Sequence, residues 1–62
     1  MSVVGIRIDG SKRVYYYYTD KVYYVGQKIK IEAPSGGTPD ATVVEINVKK
    51  HITGLRELRE VS

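Results

Sequence analysis

The sequence has no cysteine, no phenylalanine and no tryptophan, and it holds one histidine and one methionine. Without cysteine there is neither a disulfide nor a thiolate metal site, so the reinforcements of small secreted scaffolds are excluded and a reducing cytoplasm is the expected home. A single histidine, His51, excludes a two-histidine metal site within one chain. No apolar run approaches the roughly 20 residues that cross a bilayer. Met1-Ser2-Val3-Val4-Gly5 lacks the charged and apolar regions of a signal peptide. The sequence therefore predicts a chain that is neither exported nor membrane-bound.

Enzyme chemistry finds no foothold in what remains. A Ser-His-Asp set could be drawn only from Ser35, His51 and Asp40, and neither their spacing nor their context supports it. Asp9 and Asp40 sit among turn formers, and Glu32 and Glu45 fall at outward strand positions, so no carboxylate pair is set for acid–base work. Ser35-Gly36-Gly37-Thr38 is not followed by the lysine and helix that a phosphate-cradling loop requires. No catalytic residue, metal or cofactor is expected.

What is present is a β pattern rich in tyrosine. The 62 residues make at most one domain, and a chain this short buries only about 60% of the surface its unfolded form exposes. Six tyrosines stand in for the missing phenylalanine and tryptophan, and tyrosine suits half-exposed positions because its ring is apolar and its tip polar. Val3 to Ile8 alternates, with Val4, Ile6 and Ile8 on one face and Val3, Gly5 and Arg7 on the other. After Asp9-Gly10-Ser11, a second β-rich run, Arg13 to Tyr18, completes a hairpin.

The hairpin loop decides which tyrosines are inside. A three-residue loop pairs Ile6 with Val14 and Val4 with Tyr16, turning Val14, Tyr16 and Tyr18 inward and Tyr15 and Tyr17 outward. A two-residue Asp9-Gly10 turn reverses the set and aims Arg13 at the core beside Ile6. Burying that charge is unfavourable, so the longer loop is the expectation.

Val22 to Gln27 reads as a connecting loop bent at Gly26. Lys28 to Ala33 is an alternating strand with Ile29, Ile31 and Ala33 inward and Lys28, Lys30 and Glu32 outward. Pro34 to Asp40 is dense in turn formers. A fourth strand, Thr42 to Val48, places Thr42, Val44, Ile46 and Val48 inward and Val43, Glu45 and Asn47 outward. Ile52, Leu55, Leu58 and Val61 recur every third residue, which suits a short helix. A helical turn at 52–55 followed by a closing strand at 57–61 is the preferred reading, with a full helix as the alternative. Loops this short exclude parallel crossovers between successive strands, so the expected fold is all-β, or mainly β with a short C-terminal helix: a small antiparallel five-stranded barrel of the SH3-like kind.

The succession Val4-Gly5-Ile6-Arg7, Val14-Tyr15-Tyr16-Tyr17, Val25-Gly26-Gln27-Lys28-Ile29-Lys30-Ile31-Glu32 and Val43-Val44-Glu45-Ile46 resembles the start of the bacterial polymerase-suppressor (PSP-type) domain. A similar layout occurs in the N-terminal DNA-binding module of the primosomal helicase and in small phage-encoded barrels. The resemblance covers residues 3–46. It departs at Gln27, where such proteins often carry an acid, and in lacking a glycine before Val43-Val44. It implies a barrel and an association with nucleic acid.

Ten Lys and Arg against seven Asp and Glu leave a net charge of +3, mildly favouring acidic partners. If consecutive strands pair, Arg7, Tyr15, Tyr17, Lys28 and Lys30 share the outward face, where cations meet phosphates and rings stack on bases. Lys49 and Lys50 extend that basic surface. The expected function is a non-catalytic module binding single-stranded nucleic acid, or nucleic acid without sequence preference. The alternative is a phage-encoded protein-interaction adaptor or inhibitor whose tyrosine-rich face or open strand edge grips a host protein or a second copy of itself. The competing structural explanation is that the tyrosines pack under the 34–40 loop or the C-terminal segment while the lysines guard the sheet edge.

Overall fold

The computed structural model describes residues 1–61 and has strands at five places, the first four built on β-branched or aromatic residues: β1 (Ser2–Ile8), β2 (Val14–Thr19), β3 (Lys28–Lys30), β4 (Asp40–Glu45) and β5 (Arg56–Glu57). They form one sheet in the order β3-β4-β1-β2-β5. The β1/β2, β1/β4 and β3/β4 pairs are antiparallel, whereas β2 and β5 run parallel. The sheet is therefore mixed, contrary to the antiparallel expectation. The parallel pair joins strands far apart in sequence, and the intervening β3 and β4 supply the length such a crossover needs.

The sheet curls, but its ladders do not close. Beyond β3, Ile31 makes an isolated antiparallel bridge with Glu60. The amides of Glu32 and Val61 donate to the carbonyls of Arg59 and Lys30 at 3.0 and 2.7 Å. One bridge joins the two edges where a barrel would have a strand pair, leaving a seam.

Two registers differ from those expected. Ile6 pairs with Tyr15 and Val4 with Tyr17, so Tyr15 and Tyr17 face the core and Val14, Tyr16 and Tyr18 face outward. Five residues, Asp9 to Arg13, separate the strands. The Ser11 amide donates to the Ile8 carbonyl at 3.0 Å, with Gly10 at φ 87° in the turn. Arg13 precedes the ladder and is exposed, so the burial penalty that argued against this parity never arises. In β4, Ala41 pairs with Ile29 and Ile8, and Val43 pairs with Ile6. Ala41 and Val43 are fully buried, while Ile46 is 37% exposed and Val44 only half-buried. The expected inward Thr42 and Val44 thus give way to Ala41 and Val43, which pair with Ile29, Ile8 and Ile6, while the bulge keeps Glu45 outward opposite Gly5 as expected, Ile46 lies exposed beyond the strand and Val48 is half-buried.

The core comprises Val4, Ile6, Tyr17, Tyr23, Ile29, Ile31, Ala41, Val43 and Leu58, with Ile8 and Tyr15 packed against it. The inward placement of Val4, Ile6, Ile29 and Ile31 agrees with the alternation read from the sequence. Tyr23 does not belong to a strand. It reaches inward from the connecting loop, whose turn is made by Gly26 at φ 92° and by the Gln27 amide donating to the Tyr24 carbonyl at 3.0 Å. No described residue is helical. Ile52, Leu55 and Val61 are half-buried and Leu58 is buried in an extended segment, where pairing β5 along β2 satisfies backbone groups that a helix would leave open on the sheet edge.

Candidate nucleic-acid interface

β1 and β4 set up the outward rows of the sheet. Lys28 pairs with Thr42, Thr42 with Arg7, and Arg7 with Val14, forming one row across four strands. Arg7 and Lys28 therefore share a face as expected, although β4 lies between their strands. Lys30 pairs with Asp40 one row away.

These lysines are partly neutralised. The Lys28 ammonium lies 3.0 Å from Asp9, whose carboxylate also accepts from the Thr42 hydroxyl at 3.1 Å. The bonds from Lys28 and Thr42 hold the Asp9 carboxyl below its ordinary value. Lys30 lies 3.9 Å from Asp40. Arg7 donates to the Ser11 carbonyl at 3.5 Å.

Tyr15 and Tyr17 are not part of this face. Tyr17 is 5% exposed, and burial raises its phenol above the ordinary value. The outward rings are Tyr16 and Tyr18, both half-buried. Gly5 makes room for Tyr16: a Cβ at position 5 would stand 3.2 Å from Tyr16 Cε1, Val14 Cγ1 and Glu45 Cβ. The chain then leaves β4, and the Val48 amide donates to the Val3 carbonyl at 2.9 Å. To reach β5 it must pass from the far side of β1 to the far side of β2. On the way, the Lys50 ammonium comes 5.5 Å from the Tyr16 ring centroid, a cation–π contact. Lys49, Lys50 and His51 are exposed. The C-terminal segment thus lies near the outward Tyr16, not over Tyr15 and Tyr17 as the competing structural explanation required, and it brings cations with it.

The seam holds a cleft of about 440 Å³ lined by the end of β2, the residues after β3 and β5 with its continuation. Tyr18, Glu32, Arg56, Glu57 and Arg59 contribute to it. Arg56 and Arg59 make no ion pair among the described residues. Tyr16, Tyr18, Arg56 and Arg59 were absent from the sequence-derived set. The shorter hairpin parity would have identified the tyrosines, and no sequence signal distinguished the arginines.

Among the described residues no group of three or more His, Asp or Glu side chains is placed to hold a metal, and no helix is long and apolar enough to cross a membrane. No family model, curated protein or solved structure matches this chain.

Proposed function

We propose that this chain is a small, non-catalytic, cytoplasmic module that binds single-stranded nucleic acid, or nucleic acid without sequence preference, through the outward face of the β1–β2 hairpin and the segment crossing it. The observation that carries this reading is the meeting of half-buried outward rings, Tyr16 and Tyr18, with Lys50 over one of them and exposed Lys49 beside it. Rings of this kind stack on bases, and unpaired cations displace counterions from phosphates. Arg7, Lys28 and Lys30 remain as flanking charges weakened by their carboxylate neighbours. The SH3-like barrel belongs to the same proposal, supported by the bridged edges and by nearly equal extents of 26 × 23 × 23 Å. A titration against labelled single strands at low and moderate salt tests the reading. Lys49→Glu with Lys50→Glu should weaken binding and flatten its salt dependence, and absence of wild-type binding at low salt would overturn it.

One observation favours the protein adaptor as a second reading. Val22, Tyr24 and Val25 are 79, 70 and 62% exposed on one loop, and Ile46 borders the same groove as Val22 and Tyr24. Apolar side chains gathered in this way mark protein contacts. A partner held there should bind with little salt dependence and be lost in Val22→Ser with Tyr24→Ser.

A further inference from the structure

We infer that the seam cleft is a base-selective subsite that takes one nucleotide of a bound single strand, and favours bases carrying an exocyclic amino group. The inference rests on the nucleic-acid reading of the adjoining face, and Tyr18 connects the two. Tyr16 and Tyr18 project from the same side of β2 two residues apart, roughly 7 Å along the strand, and Tyr18 also lines the cleft. A strand tracking the outward rings is therefore delivered to the seam.

The lining is mixed in charge. Arg56 and Arg59 share the cleft with Glu32 and Glu57, yet none of the four is in an ion pair within 4.0 Å among the described residues. A purely anionic ligand would suit the arginines and be repelled by the carboxylates. A nucleotide offers both complements: a phosphate for the guanidiniums, and amino hydrogens on cytosine, adenine or guanine for a carboxylate. Thymine and uracil have no such amino group. Ala33 and Pro34 supply the apolar wall, and the volume lies within the range of small-ligand sites, about 300–1,000 Å³.

The test uses oligo(dC) and oligo(dT) of equal length, together with cytidine and thymidine monophosphates followed by NMR shifts at the cleft residues. Wild type should bind oligo(dC) roughly five- to tenfold more tightly than oligo(dT), the scale of one hydrogen bond to a base. Glu32→Ala with Glu57→Ala should abolish that ratio while leaving oligo(dT) binding unchanged or tighter. Arg56→Lys with Arg59→Lys keeps the charge but loses the fork that grips a phosphate, and should weaken mononucleotide binding severalfold with an unchanged melting curve. If both oligonucleotides bind equally and the glutamate variant strengthens both alike, the outer face stands and the subsite is overturned. If neither oligonucleotide nor mononucleotide binds, both readings fall. If mononucleotides shift the cleft residues while the oligonucleotides fail to bind, the outer-face reading fails and the subsite, without the strand that feeds it, is overturned in its present form.

Discussion

The centre of the sheet and its seam are held by different forces. In the centre, β4, β1 and β2 pair residue by residue, and Val4, Ile6, Ala41 and Val43 are sealed beneath those ladders. At the seam, Ile31 is equally sealed and Leu58 nearly so, but among the described residues the backbone joins the two edges only through the Ile31–Glu60 bridge, made by the Glu32 and Val61 amides. Side-chain packing thus continues where the ladder stops. A curled sheet can share one core across an open seam because burial needs only contact, whereas ladders need register. The under-paired region is also where the cleft lies, with functional possibilities that a closed barrel would have removed.

The largest effect should come from Ile6→Ala at the centre, a cost of about 2–5 kcal/mol from lost burial and the cavity left behind. In a domain this small that is enough to unfold much of the population. Chemical denaturation measures it, and a midpoint close to wild type would mean the centre is not the main source of stability. Gly5→Ala should follow, at about 1–3 kcal/mol. Its new Cβ meets atoms of β2 and β4 at 3.2 Å on both sides, so no single side chain can swing away to relieve the crowding. A neutral result would show that the bulge can open.

Alkali should weaken the seam through Tyr23. Tyr23 donates its hydroxyl to Glu60 at 2.8 Å, and burial with that hydrogen bond raises its pKa to about 12. A raised folded-state pKa stabilises the fold fully below the unfolded value, about 10, and this contribution is lost as pH rises from there toward 12. Stability should therefore fall across that window. Tyr23→Phe should cost about 0.5–1.5 kcal/mol at neutral pH and blunt the alkaline loss. Hydrogen exchange should show the Glu32 and Val61 amides opening before those of Ile6 and Val43. Uniform opening would erase the distinction between seam and centre.

The parts of this arrangement legible in the sequence were those with an unambiguous alternation. Val4-Gly5-Ile6-Arg7-Ile8 and Lys28-Ile29-Lys30-Ile31 each offer only one apolar face, and both faces lie where the pattern put them. Tyr15 to Tyr18 and Val43-Val44 read alike in either parity, so the loop and the bulge decided, and neither could be measured from composition. The candidate face failed at the same place, because Tyr15 and Tyr17 were assigned by that parity. Arg7, Lys28, Lys30, Lys49 and Lys50 kept their outward or exposed character, but the carboxylates of Asp9 and Asp40 beside the strand-three lysines depend on contacts between distant segments. The threefold spacing after Ile52 suggested a helical turn at 52–55 that is absent, because periodicity alone ignores the open edge of β2, whereas the closing strand expected at 57–61 is present in part as β5 and the Glu60 bridge.

The smallest predicted effect has the opposite sign. The Tyr17 hydroxyl is buried and has no hydrogen-bond partner among the described residues, whereas the Tyr23 hydroxyl is paired. An unpaired buried polar group is a desolvation cost with no return, so Tyr17→Phe should stabilise the fold by about 1 kcal/mol. The ring, opposite Val4 in the ladder, is kept. Because burial raises the Tyr17 phenol above its ordinary value, the native tyrosine also loses stability as pH rises past that value, and the phenylalanine variant should not share in that loss. Tyr17 also lines the seam cleft, but the variant keeps the ring and the lost hydroxyl is buried, so oligonucleotide binding should be unchanged. Paired denaturation curves for Tyr17→Phe and Tyr23→Phe, compared at equal slope, should move in opposite directions from wild type. If Tyr17→Phe is destabilised as much as Tyr23→Phe, the Tyr17 hydroxyl has a partner in solution, and centre and seam are both tied by tyrosine hydrogen bonds.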